Sequence, residues 1–230
     1  MGGRKPTVEL VNSKEVFMLL HKTLRDLVYD YISAQIREGS LNTSSMIRET
    51  DLSAELGVSR TPVREALIQL ASDGLLDNIP HRGFKIKPID EKSAKELLGI
   101  IGQLEGYAAK LATKLLTRKD VDTMQLFIEA MDLAINHGDV EQYLKEQDSF
   151  HDVFLRASGN AVLHETITKL KRRLYRRGHQ DENQVAYLEN LNLEHRRILE
   201  LFKEQDADGV SAFLIKQHWS PEYGRDELFL

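Results

Sequence analysis

From Val16 to Glu38 the apolar positions Leu20, Leu24, Leu27, Val28, Tyr31, Ile32 and Ile36 recur at helical spacing, and Gly39 stands where a cap belongs. The pattern predicts one long first helix. A polar segment, Ser40 to Glu49, separates it from a short helix with Leu52 and Leu56 inward that stops at Gly57. A second helix opens two residues later at Ser59-Arg60-Thr61-Pro62, with Val63, Ala66, Leu67 and Leu70 along one side. Ser59 is placed as its N-cap, and Pro62 falls in the first turn, where a missing backbone N–H breaks no helical bond. Beyond Gly74 the pattern changes. Leu75, Leu76 and Ile79 lead into Pro80-His81-Arg82-Gly83, and Phe84 and Ile86 then alternate with Lys85 and Lys87, as in a two-stranded hairpin. Pro88 and Asp90 mark the clearest domain boundary.

From Glu91 onward only helical periodicity is found. Leu97, Leu98, Ile101, Leu104, Ala108, Leu111 and Leu115 form a first stripe, and Val121, Met124, Ile128, Met131 and Ile135 a second, ended by Asn136-His137-Gly138. Further helices are expected over Val140 to Ala157, Ala161 to Arg177, Val185 to Lys203 and Ala207 to His218. The pattern as a whole predicts a mainly α protein. It has a flexible tail over 1–15, a winged helix-turn-helix over 16–88 and an all-α bundle over 91–230.

Composition narrows the chemistry. The 230 residues include no cysteine, which removes disulfides, thiolate nucleophiles and cysteine-bound zinc from consideration. The first 20 residues lack the unbroken apolar core of a signal peptide, and no run approaches a membrane span, so a cytoplasmic protein without a membrane partner is expected. Net charge is −5, which argues against coating nucleic acid by bulk positive charge. Residues 1–90 hold 12 basic and 12 acidic groups, so the deficit lies wholly in the remainder.

The neutral amino-terminal part carries the more specific signal. Gly57-Val58-Ser59 joins two helices as a tight turn that presents the second to a duplex. Arg60 and Arg64 lie four apart on the face opposite the apolar stripe, and arginine there can reach guanine O6 and N7 with two hydrogen bonds. Ser59 and Thr61 hydroxyls beside the first-turn N–H groups suit phosphate. His81, Arg82, Lys85 and Lys87 around Gly83 form a basic wing. The alternative, two solvated helix charges, does not explain why all these parts occur in this order.

The run from Glu49 to Leu67, including Gly57-Val58-Ser59-Arg60-Thr61-Pro62-Val63-Arg64-Glu65-Ala66-Leu67, resembles the signature of GntR-family bacterial regulators, and Asp73-Gly74-Leu75 with Arg82-Gly83 continues it. The resemblance implies DNA contacts by Ser59, Arg60, Thr61, Arg64 and His81, Arg82 and Gly83. Thr50 stands where some members have a further DNA-touching arginine. Residues 91–230 resemble the helical FCD domain of the FadR-like subfamily, through Phe150-His151, Ala157-Ser158-Gly159-Asn160, Glu194-His195-Arg196-Arg197-Ile198 and Asp206. This implies a homodimeric, effector-controlled transcription regulator, expected to be a repressor. Its effector would be a small carboxylate, often bound beside a divalent metal such as zinc or nickel held by one Asp and three His.

Read from spacing alone, His151 follows the Phe150 and Phe154 stripe, and His195 falls in line with Leu188, Leu191, Ile198 and Phe202, so both face the bundle interior. Asp148, three residues before His151, and His218 complete the candidate metal set. The family usually places its Asp where this chain has Gln147, and its last His where this chain has Gln217. Either two strong donors remain and the site is metal-free, or a small shift lets Asp148 and His218 substitute. Ile101-Gly102 occupies the place of a common effector-binding arginine. Arg172 and Arg176, with Arg173 and Arg177, are then either substitute anion partners or a solvated basic face.

Two other readings compete. His151-Asp152 is similar in outline to the pair of a metal-dependent hydrolase, but that chemistry needs further His and Asp ligands converging on the pair, and Asp152 points about a quarter turn away from His151. No catalytic triad, P-loop or dinucleotide fingerprint is present, and an enzyme is not expected. An architectural DNA binder would need a wider basic surface and no acidic helical domain.

Overall fold

The structure, a computed structural model, describes residues 22–37, 40–41, 46–174 and 184–221. The expected tail over 1–15, the start of the first expected helix, Arg176 and Arg177 lie outside the described residues. The chain divides into two compact units between Lys87 and Pro88.

In the first unit, α1 (Leu24–Arg37) is followed by β1 (Met46–Ile47), α2 (Glu49–Leu56), α3 (Arg60–Ser72), β2 (Leu76–Ile79) and β3 (Gly83–Ile86). Val28, Ile32 and Ile36 of α1 pack with Leu52 of α2, with Val63, Ala66, Leu67 and Leu70 of α3, and with Phe84 and Ile86 of β3. This places the apolar stripe read from α3 wholly inside. Burying one such aliphatic side chain contributes about 1.5–3 kcal/mol, so the stripe alone fixes the rotation of α3 about its axis. Hydrogen bonds from Tyr29 to Asp73 at 2.8 Å and from Tyr31 to Glu55 at 2.7 Å tie α1 to the two following helices.

The expected two-stranded hairpin has a third member. The sheet order is β1-β3-β2, all antiparallel, with Met46 opposite Lys85 and Ile47 opposite Phe84. A two-residue strand inside a polar segment has no periodicity to betray it. It pairs because the exposed edge of β3 offers unsatisfied backbone groups.

The second unit contains α4 (Glu91–Ala112), α5 (Arg118–His137), α6 (Val140–Ala157), α7 (Ala161–Leu174), α8 (Gln184–Lys203) and α9 (Ala207–Phe213), which runs on into a π-helical turn, Leu214–His218. α4 is the central helix, packed against α6, α7, α9 and the π-turn. Its start is fixed by Asp90, whose side chain accepts from the Ser93 N–H at 2.7 Å. Thr117 and Asp120 close a capping box on α5, and Gly138 ends that helix in the left-handed region. Among the described residues no helix is long and apolar enough to cross a membrane.

Candidate functional site

The exposed face of α3 carries the residues expected to meet DNA. Gly57, with φ of 64°, ends α2, and Ser59 stands at the N-cap of α3. Its hydroxyl makes no capping bond, so the position is filled as expected but the side chain does not close the helix end. Arg60, Thr61 and Arg64 are exposed, and the Arg64 Nε lies 3.7 Å from a Glu49 carboxylate oxygen. The wing turn holds His81 and Arg82 exposed at its tip. Gly83, with φ of +108°, is required there: a Cβ would stand 2.5 Å from the Ile47 carbonyl oxygen, so only glycine lets β1 approach the wing this closely.

The interior of the helical unit holds a second set of polar groups. His151 of α6, His195 of α8 and His218 of the π-turn are fully buried, and each offers a ring nitrogen within 4.8 Å of the others. The Nε2 of His151 is 3.1 Å from that of His218 and 3.3 Å from that of His195. The outer nitrogens face carboxylates. His151 Nδ1 is 2.7 Å from Glu105 and His218 Nδ1 is 2.8 Å from Glu194. An ionised carboxylate only accepts, so in each ring Nδ1 carries the proton and donates it.

Glu105 organises this centre. It is wholly buried on α4 and accepts from His151, from the Trp219 indole N–H at 2.7 Å and from the Lys171 ammonium at 3.2 Å. Burial by itself would raise its pKa. The neighbouring charges of His151 and Lys171, with hydrogen bonds from His151 and Trp219, outweigh it and hold the carboxyl at about 2. Burial pushes the His151 ring below its ordinary value against the pull of Glu105. Lys171 also lies 5.1 Å from the centroid of the Trp219 ring. Gly102 makes room for this contact, since a Cβ there would stand 3.0 Å from the Trp219 Cβ. The place of the arginine implied by the resemblance is therefore a seat for tryptophan.

Of the four candidate ligands, three converge. Asp148 is 34% exposed in its side chain and stands 3.8 Å from the Lys171 ammonium, outside the histidine group. Gln147, one turn before His151, is buried instead. His218 points inward and Gln217 outward because the last turn is π-helical, with the Trp219 N–H bonded to the Leu214 carbonyl at 2.9 Å. Arg172 is half-buried, and the buried cation on α7 is its neighbour Lys171. Lys171 continues the stripe Leu163, Ile167, Leu174, and Glu105 continues Leu98, Ile101, Ala108, Ala112. A charged residue in step with an apolar stripe was the available signal for both. Asp152 is engaged by His164 at 2.6 Å and by Arg156, so it does not join His151 as a hydrolase pair would require.

Comparison with known proteins places both halves. Residues 24–86 match the family model "Bacterial regulatory proteins, gntR family", and residues 96–220 match the FCD domain. A probable D-xylose utilization operon transcriptional repressor of Paenarthrobacter nicotinovorans is 34% identical over 63% of this chain, and the match spans 64% of that protein. The HTH-type transcriptional regulator McbR of Escherichia coli is 30% identical over 65% of this chain and 68% of its own length. The solved structure of E. coli McbR/YncC aligns with a TM-score of 0.75 at 26% identity, covering 85% of this chain and 95% of that one. A Rhodococcus GntR regulator shares the fold, with a TM-score of 0.67 at 16% identity over 83% of this chain and 91% of its own. The chain belongs to the GntR family of bacterial regulatory proteins, a DNA-binding transcription regulator whose second unit is an FCD domain.

Proposed function

We propose that the chain is a cytoplasmic homodimeric repressor whose two copies of α3 read a pseudo-palindromic operator. In this reading the helical unit holds a divalent cation through His151, His195 and His218 and binds a small carboxylate effector there. Ser59, Arg60, Thr61 and Arg64 would contact the operator from α3, and His81, Arg82 and Gly83 from the wing. The repressor assignment follows the Paenarthrobacter relative, whose name describes it as a probable repressor. Exposed Ile100 and Tyr107, seven residues apart on α4, offer an apolar stripe for the dimer contact.

One observation carries the effector reading. Glu105 and Glu194 accept from the Nδ1–H groups of His151 and His218, which turns the two Nε2 atoms toward each other across 3.1 Å. A proton or a metal cation held between two such nitrogens offsets the repulsion of their lone pairs, and a metal would also engage His195. Two nitrogens bound to one tetrahedral zinc at 2.0–2.1 Å stand about 3.3 Å apart, which matches the spacing of the rings. The donor set fits zinc or nickel, and the carboxylates behind it fix the tautomers. Such a cation would supply a Lewis-acid anchor for a carboxylate. Asp148 is engaged by Lys171 and Gln147 is neutral, so neither competes for that position.

The test is a thermal-shift and calorimetric titration of the full chain with zinc and nickel against a chelator control, followed by a panel of small mono- and dicarboxylates. Saturation at 100 times Kd stabilises the fold by about 2.7 kcal/mol. Native protein should show this shift and His195→Ala should lose it. Equal shifts in both proteins, or none in the native chain, would overturn the reading.

A further inference from the structure

The sequence pattern assigns the DNA contacts to α3 and the wing tip, but a groove of about 370 Å³ joins these elements to the start of α2. Arg48, Arg64 and Arg82 line it, with His81 at the wing side and Glu49 as its acidic group. Arg48 is exposed and immediately follows β1. Because side chains alternate along β1, the burial of Ile47 turns Met46 and Arg48 to the outer side, where Met46 faces exposed Lys85. The next position across the sheet is Gly83, whose absent side chain leaves the Arg48 Cα only 3.6 Å from where a Cβ would be. The guanidinium thus emerges at the junction of recognition helix and wing.

The two groove arginines on the helical side differ in their company. Arg64 has Glu49 at 3.7 Å, which orients it. Among the described residues Arg48 forms no ion pair, and Thr50 beside it carries no charge and hydrogen-bonds to Asp51 at 2.9 Å. A solvated arginine in a basic groove gains most by neutralising a phosphate and releasing its counterion.

We infer that Arg48 is a further DNA-contacting residue: it neutralises a backbone phosphate between the wing and α3, adding affinity without reading base edges. The inference rests on the DNA-binding reading of α3.

The test uses the full chain, an operator selected from a randomised duplex pool by the native protein, and an unrelated duplex of equal length. Affinities for both are measured over a salt series. Arg48→Ala should weaken both duplexes by the same factor, roughly five-fold at 0.15 M salt, and reduce the salt slope by about 0.9. Arg48→Lys, which keeps the charge, should restore most of the slope. An unchanged slope, or loss confined to the selected operator, overturns the role assigned to Arg48. Absence of operator preference in the native chain would instead overturn the reading of α3, and Arg64→Ala separates the two by losing preference while keeping the random-duplex affinity nearly intact.

Discussion

The two units place their polar chemistry in opposite settings. In the first, the groups proposed to meet DNA stand in solvent, on a helix whose other side is fully buried. In the second, Glu105, His151, Lys171, His195, His218 and Trp219 lie inside the bundle, and Glu105 accepts from His151, Lys171 and Trp219. The difference teaches how each can be altered. A surface reader can lose its ligand and keep its fold, because solvent replaces what the mutation removes. An interior centre cannot, because a removed partner leaves a buried charge behind.

Glu105→Ala should therefore have the largest effect. It removes the acceptor for Lys171, His151 and Trp219 together, and a broken buried ion pair costs about 3–5 kcal/mol. Urea denaturation should show that loss, and pairing it with Lys171→Met should recover part of it, since the stranded ammonium is gone. A change below about 1 kcal/mol would mean that water enters the centre and that the contrast between the units is false.

Arg64→Ala is the converse experiment. The midpoint of unfolding should move within the range of a surface substitution, about 0.5 kcal/mol, while discrimination for the operator falls by about 1–3 kcal/mol. Comparable losses in both measurements would show that Arg64 supports the fold through Glu49.

These same contrasts explain what is legible in the sequence. The recognition helix is a local pattern: Gly57, Ser59, Pro62 and the stripe from Val63 to Leu70 fall within 14 residues, and each acts on its neighbours. The third strand is not legible, because Met46–Ile47 is defined only by its pairing with Phe84 and Lys85 far along the chain. In the interior, His151 and His195 follow from their stripes. Glu105 and Lys171 also keep step with their stripes, but their inward role is not legible, because the partners that make a buried charge tolerable come from α4, α6, α7 and Trp219. Asp148 is suggested by its residue type and its three-residue spacing from His151, and Gln147 occupies the inward position instead.

The smallest effect tests a helix end in the second unit that behaves like a surface. Thr117→Ala breaks the capping box and should cost about 1 kcal/mol, the usual value for a lost Thr cap. Side-chain and backbone hydrogen bonds from Thr117 hold the Asp120 carboxyl below its ordinary range. A depressed carboxylate stabilises the fold above its unfolded pKa, and that contribution is lost as pH falls through the folded value. The difference between native and variant midpoints should accordingly narrow on acidification, and a constant difference from about pH 7 to about pH 2 would exclude the Asp120 contribution.

The π-turn has a consequence for how such centres are recognised. One extra residue in an α-helix normally rotates everything after it by about 100°. Here the last turn, Leu214–His218, is wide, and it leaves the His218 imidazole inside and Gln217 outside. The interval between candidate ligand positions is thus a matter of backbone path and not of residue count. A motif search that demands a fixed number of residues between histidines would pass over this chain, while one that allows a single insertion before the last would retain it.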